Sequence, residues 1–239
     1  QAPGVAIADN GKFVVVWQSK DQDGSGEGIY LRRFDAAGAA LDVGETLVNV
    51  VTTDDHQTLP SVAINDAGQT VVTWESKGQD PDGSEGIYAQ RYDAAGNPVG
   101  TEFQVNSFTS NDQYEAVVTG LTGGGFVVAW RSDSGQDGSA AGVFAQLYDA
   151  AGSTVGGEFR VNEATSSSQF NASIAALDTG GFVVSWSDNS GLDGSGTGVF
   201  AQEYAANGAR VNEQFQVNTA SSSTQDQSAV AALSSGNFV

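Results

Sequence analysis

Gln57–Ser84, QTLPSVAINDAGQTVVTWESKGQDPDGS, decides how this chain is read. The stretch occurs four times and begins a fifth. Its tryptophan falls at Trp17, Trp74, Trp130 and Trp186, spacings of 57, 56 and 56 residues. A glutamine column falls at Gln57, Gln113, Gln169 and Gln225, each 56 apart, and Gln1 opens the first copy. An asparagine column falls at Asn49, Asn106, Asn162 and Asn218. Periods of this size mark architectures in which one supersecondary unit is copied and stacked.

Working outward from the tryptophan, each copy reads as four short strands. The first is Val5–Ile7, Ser61–Ile64, Ala116–Val118 or Ser173–Ala175, followed by a Gly-containing turn such as Asp66-Ala67-Gly68, a hairpin signal. The second strand, Phe13-Val14-Val15-Val16-Trp17 and its equivalents, is a continuous β-branched and aromatic run, as expected of a strand buried on both faces. Four to six residues between glycine-rich turns are too few for a buried helix. A loop ending in Asp-Gly-Ser leads to the third strand, Gly28–Phe34, Gly86–Tyr92, Gly142–Tyr148 or Gly198–Tyr204, whose alternation marks one wetter face. Asp-Ala-Ala-Gly turns (Asp35–Gly38, Asp93–Gly96, Asp149–Gly152; Ala205-Ala206-Asn207-Gly208 in the fourth copy) bend the chain into a last strand at Thr46–Asn49, Phe103–Asn106, Phe159–Asn162 or Phe215–Asn218.

Four hairpin-linked strands per copy predict an all-β fold, a β-propeller of four-stranded antiparallel blades, ahead of a linear solenoid or a string of small sandwiches. The expected blades are 1–56, 57–112, 113–168 and 169–224, with 225–239 starting a fifth, within one propeller domain. The aromatic residues of the second strands are expected to pack between blades, each burying ~150–250 Å². Residues 226–239 repeat the pattern of residues 1–14, and the last of them stop inside a core strand. The expectation is therefore that the native chain continues past Val239 into further blades, or meets a self-association partner.

A net charge of −20 among 239 residues argues against nucleic acid and anionic membrane surfaces, which select basic patches. The chain has no Cys and so no disulfide or thiolate chemistry. No apolar run approaches the ~18 residues of a membrane-spanning helix, so membrane insertion is not expected.

The sharpest polar feature is the loop after each Trp. It offers Asp21 and Asp23 in the first copy, Asp80 and Asp82 in the second, Asp133 and Asp137 in the third, and Asp188 and Asp193 in the fourth. Two readings stand side by side. A hard cation takes six to eight oxygens, and a Gly-rich loop with paired aspartates can supply them, which predicts calcium at these eight residues. A plain turn explains the same letters, because Asp bonds its own backbone and Gly accepts positive φ. The Gln and Asn columns are read as satisfying backbone groups where blades begin and end. His56, beside Asp54 and Asp55, is read as a solvated surface residue. Arg32, Arg33, Arg91, Arg131 and Arg160 are read as offsetting carboxylates. No nucleophile–base–acid set stands out, and no single copy has a distinctive acid for glycoside chemistry, so no enzyme is expected.

Taken together, Asp82–Gly86, Ile87–Gly96 and Glu102–Asn106 resemble tandem repeats of very large secreted or surface proteins of Gram-negative bacteria and cyanobacteria. The resemblance covers essentially the whole chain. It implies secretion or a cell-surface location and a non-catalytic, adhesin-like or structural role with calcium-stabilised loops, and surface glycans or matrix proteins as partners. The loops are also similar, more loosely, to calcium loops on integrin-type propeller blades, although most copies lack a third Asp. A carbohydrate-binding lectin propeller is the alternative, and a glycan-active enzyme the third reading.

Overall fold

The computed structural model describes residues 3–52, 54, 56–133, 135–233 and 237–239. Gln1 and Asp55, named above, lie outside the described residues, as do Ser134 of the third loop and Gly236 of the fifth copy. The chain divides into two compact units, Gln1–Ser110 and Asn111–Val239. The described residues contain sixteen β-strands and no helix.

In the first unit, β1 (Gly4–Ile7), β2 (Phe13–Lys20), β3 (Glu27–Phe34) and β4 (Thr46–Leu47) pair antiparallel in chain order. So do β5 (Gln57–Ile64), β6 (Thr70–Lys77), β7 (Glu85–Tyr92) and β8 (Phe103–Gln104). The second unit repeats the pattern twice. One sheet is β9 (Gln113–Gly120), β10 (Phe126–Ser132), β11 (Gly142–Tyr148) and β12 (Phe159–Arg160); the other is β13 (Gln169–Ala176), β14 (Phe182–Asp188), β15 (Gly198–Tyr204) and β16 (Arg210–Gln216). Each sheet is an up-and-down meander drawn from one sequence repeat, the pattern of a propeller blade.

The first strands are longer than their apolar patterns suggest, because the Gln column joins them across a bulge. Register shifts fall between Thr58 and Ser61 and between Phe170 and Ser173. Leu59, Glu115, Asn171 and Gln227, spaced 56 apart, all take positive φ there. The last strands are shorter than expected, with two paired residues in the first three blades, whereas β16 runs for seven. The hairpin turns behave as read: Gly38, Gly96 and Gly152 donate to the carbonyls of Asp35, Asp93 and Asp149, and the variant fourth turn keeps Gly208 N to Ala205 O at 2.9 Å.

Between sheets, one packing scheme recurs. Val62, Val72, Trp74, Tyr88 and Tyr92 of the second blade cluster with Val14, Val16, Ile29, Leu31 and Val48 of the first. Phe182, Val184, Trp186, Phe200 and Tyr204 of the fourth cluster in the same way with Val127, Ala129, Val143, Ala145 and Leu147 of the third. Trp74, Trp130 and Trp186 are fully buried, as the sequence reading required. β6, β10 and β14 are buried on both faces, whereas β2 alternates between buried and half-buried residues.

The Asn and Gln columns form a clasp at the junction between repeats. Asn49, Asn106, Asn162 and Asn218 accept the backbone N–H of Ile29, Ile87, Val143 and Val199 at 2.7–2.8 Å. Asn49 also donates to Gln57 at 2.9 Å, Asn162 to Gln169 at 2.9 Å and Asn218 to Gln225 at 3.0 Å. The columns thus pair buried backbone groups that would otherwise be orphaned.

Candidate functional site

The Asp-Gly-Ser loops sit where strand two of each blade crosses to strand three. The Asp before Gly-Ser accepts the Ser backbone N–H in every copy: Asp23–Ser25 at 3.4 Å, Asp82–Ser84 at 3.0 Å, Asp137–Ser139 at 3.0 Å and Asp193–Ser195 at 3.1 Å. This is the side-chain turn that Asp favours. The glycine opening strand three has a separate cause. A Cβ on Gly28 would lie 2.9 Å from Asp23 Cγ, on Gly142 2.9 Å from Asp137 Oδ2, and on Gly198 2.9 Å from Asp193 Cγ. The aspartate folds back onto the strand, and only glycine leaves room.

In the second blade these two tasks are divided. Asp82 makes the turn, while Asp80 presses on Gly86, whose Cβ would lie 2.7 Å from Asp80 Cγ. The cause is loop length: Ser84-Glu85-Gly86 is one residue shorter than Ser25-Gly26-Glu27-Gly28, and Pro81 separates the two aspartates. Asp80 is released from turn duty and buried. Its Oδ1 accepts Tyr88 OH at 2.9 Å and Gln104 Nε2 at 2.5 Å, and its Oδ2 accepts Asn106 Nδ2 at 3.4 Å. Burial raises its pKa; the hydrogen bonds from Tyr88 and Asn106 oppose that rise, and the charge of Asp82 adds to it. Glu102, whose Oε1 accepts Val51 N at 3.0 Å, also has its pKa raised by burial, against backbone hydrogen bonds from Val51, Thr52 and Val50. Glu102 Oε2 is buried without a hydrogen-bond partner. Tyr88 has its own pKa raised by burial first, then by Asp80 and by Glu102. The second blade therefore holds two carboxyl groups whose pKa is raised by burial, both acting on one tyrosine. The sequence reading named Asp80 only as a cation ligand and did not name Glu102, Tyr88 or Gln104 as site residues. A usable signal was the loop one residue shorter after Ser84, with Pro81 where the other copies have Gln22, Gln136 and Leu192.

The other residues expected to bind a cation are dispersed. Asp21 is exposed at φ 58°. Asp133 accepts Tyr114 OH at 2.5 Å and pairs with Arg131 at 3.0 Å. Among the described residues no three or more His, Cys, Asp or Glu side chains gather as a metal site. The fourth loop comes nearest. Asp188 pairs directly with Gly198, so both point to one sheet face, and Asp193 occupies the space beside Gly198. Asp188 is 1% and Asp193 9% exposed, and Asp188 Oδ2 makes no hydrogen bond.

Two side-chain expectations change. His56 is not simply solvated, since its Nδ1 meets Glu27 Oε2. Arg160 donates to Asn162 O at 2.9 Å and not to a carboxylate, whereas Arg33 pairs with Asp42 at 2.5 Å as expected. At the opposite end of the strands, the second unit has a cavity of about 300 Å³ lined by Leu121, Gly125, Leu147, Tyr148, Asp149 and Val155, with one carboxylate among them.

No protein-family model matches the chain, and no curated protein does. Solved structures do. The GH93 α-L-arabinofuranosidase of Fusarium graminearum, in complex with arabinobiose, superposes with a TM-score of 0.61 at 9% identity over 90% of this chain and 65% of that one. A Hadza microbial sialidase gives 0.59 at 12% identity, over 90% of this chain and 45% of that one. The α-L-arabinanase of Penicillium chrysogenum, also with arabinobiose, gives 0.57 at 15% identity over 94% and 64%. The chain thus spans between 45% and 65% of these proteins' lengths.

At such identities the likeness is one of fold, and the fold is the all-β propeller expected. It also corrects the functional expectation. The scaffold is one on which glycoside hydrolases are built, so repetition gave no ground for reading the chain as a non-catalytic adhesion or spacing segment. The companion argument, that no copy has a distinctive acid, fails at Asp80. Both the non-catalytic reading and the exclusion of an enzyme are withdrawn.

Proposed function

We propose that this chain is the propeller of a glycan-active hydrolase, with Asp80 and Glu102 of the second blade as its carboxyl pair. The observation that carries this reading is the release of Asp80 from turn duty into a buried position where its carboxyl keeps its proton toward higher pH. Glycoside hydrolysis uses two carboxyl groups, one of them protonated at working pH. In this reading Asp80 donates its proton to the glycosidic oxygen as the bond to the leaving sugar breaks. A water forms the new bond to the anomeric carbon, and its proton passes to Glu102, which in this reading is ionised when substrate binds. Asp80 is buried and the turn that follows it, Pro81–Gly83, is exposed, so in this reading the turn moves aside to admit substrate. A polysaccharide substrate suits a secreted or cell-surface protein, and the structural neighbours solved with arabinobiose support a sugar ligand.

The test is release of aryl or reducing sugar from arabinofuranosides, sialosides and a polysaccharide panel. Asp80→Asn should lose a factor of about 10²–10⁴ in rate with the fold retained, the span of a general acid. No release from any substrate, or equal release by Asp80→Asn, refutes the assignment. A stabilising role for calcium is proposed at one loop only, that of Asp188 and Asp193, where two buried carboxylates share a sheet face.

A further inference from the structure

The bulges on the first strands follow a rule with one exception. The backbone N–H of Leu59 is accepted by Gln18 Oε1 at 3.2 Å, and that of Gln227 by Ser187 Oγ at 3.2 Å. Gln18 and Ser187 each stand directly after their blade's Trp. In the third blade that place holds Arg131, and a guanidinium has donors but no acceptor. Glu115, the bulge residue of the third blade, takes the duty over, its Oε2 accepting Asn171 N at 3.1 Å. The seam is served by an acceptor after the Trp, so Arg131 breaks a local rule. Such breaks gather where a chain does something besides fold.

Arg131 instead gathers polar and aromatic groups. Its Nη2 and Nε donate to Asp133 Oδ1 at 3.0 and 3.2 Å, and its Nη1 lies 3.7 Å from Glu115 Oε1. The guanidinium carbon stands 4.9 Å from the centre of the Tyr114 ring and 5.9 Å from that of Phe170. Glu115 and Asn171 sit at positive φ in their bulges, a device that re-aims a side chain. The side chains of Arg131, Asp133 and Glu115 keep 23%, 31% and 32% of their surface open, and Tyr114, Phe170 and Asn171 are half-buried. The matching places in the second blade hold Thr58, Leu59, Glu75 and Lys77, so the repeat itself does not require this set. All six residues belong to the unit Asn111–Val239.

Two carboxylates against one guanidinium leave the group net negative, which repels an anion. Arg131 pairs with both carboxylates, which puts a positive charge where a hard cation would have to sit. A neutral ligand with neighbouring hydroxyls meets neither penalty. One hydroxyl donates to a carboxylate while the next accepts from the guanidinium, and an apolar C–H face of the ring rests against an aromatic side chain. We propose that Tyr114, Glu115, Arg131, Asp133, Phe170 and Asn171 form a binding site for a neutral sugar. The site shares no residue with Asp80 and Glu102 and breaks no bond, so it stands independently of the hydrolase reading.

Titration of the isotope-labelled chain with arabinobiose, cellobiose and lactose, and with galacturonic and N-acetylneuraminic acids, tests it by nuclear magnetic resonance. The Arg131 Nε–H resonance, assigned by its absence from Arg131→Lys, should shift with at least one neutral sugar and with neither acid. Calorimetry should show affinity for that sugar falling about tenfold or more in Arg131→Lys and in Glu115→Gln. Glutamine still offers an acceptor to Asn171 N, so the Glu115→Gln seam and its circular dichroism should be kept. No shift with any neutral sugar overturns the proposal. So does affinity that survives both variants, or a preference for the acids. Binding here without sugar release from any substrate supports this site while the hydrolase reading fails; release without a shift at Arg131 does the reverse.

Discussion

Replacing Asn162 by Ala should be among the most destabilising polar changes in the second unit, and the same change at Asn218 should cost much less. The two residues share three matching bonds, to which Asn218 adds a long one to Asp193 Oδ2 at 3.3 Å. Asn162 accepts Val143 N at 2.8 Å and donates to Ala164 O at 2.6 Å and Gln169 Oε1 at 2.9 Å. Asn218 accepts Val199 N at 2.8 Å and donates to Ala220 O at 2.7 Å and Gln225 Oε1 at 3.0 Å. What differs is burial: Asn162 and Gln169 are fully buried, whereas Asn218 and Gln225 are half-buried and within reach of water. An orphaned buried polar group costs about 1–3 kcal/mol. Asn162→Ala orphans two such groups, Val143 N–H and Gln169 Oε1, for about 2–6 kcal/mol in total. Asn218→Ala orphans one buried group, for about 1–3 kcal/mol. Urea unfolding followed by circular dichroism, with unchanged m-value as a control, gives both numbers. Equal costs at the two positions would refute the reasoning, because the bonds alone would then set the energy and burial would not.

Four further outcomes are expected. Gly142→Ala should destabilise by about 1–3 kcal/mol through overpacking against Asp137 Oδ2 and Phe144, at 2.9 and 3.2 Å. Gly157→Ala, with open space around its Cβ position, should be neutral or slightly stabilising in the same urea assay. Asp80 has a raised folded pKa, so the folded state holds its proton where the unfolded chain has released it. Its contribution to stability therefore falls as pH rises from about 3.9 through the folded value, and Asp80→Asn should flatten that part of a stability–pH curve. Chelation by EDTA should lower the melting midpoint of the native chain and leave Asp188→Asn unmoved; an unchanged native midpoint removes calcium from the account.

Much of the fold was legible in the letters. Phe-Val-Val-x-Trp between glycine turns is too short and too β-branched to be anything but a buried strand, and its recurrence every 56 residues counted the blades. The Asn and Gln columns were legible as caps, because a polar residue repeated at the seam of an apolar unit has backbone groups to satisfy. The Asp-Gly-Ser loops were legible as turns, but not as four different turns. Which aspartate presses on the strand-three glycine depends on how many residues close the loop, and one residue fewer after Ser84 hands that place from Asp82 to Asp80. Asp133 lies three residues after its Trp and Asp188 only two; that offset of one leaves Asp188 paired with Gly198, beside Asp193, and Asp133 with Tyr114 and Arg131. Glu102 gained its meaning only from Tyr88 and the backbone at Val51, both distant along the chain. The sequence by itself determined the blades, because hydrophobic period and turn chemistry act between near neighbours. Tertiary structure alone decided which carboxylates are buried, because burial is set by what packs across from a residue and not by the residue itself.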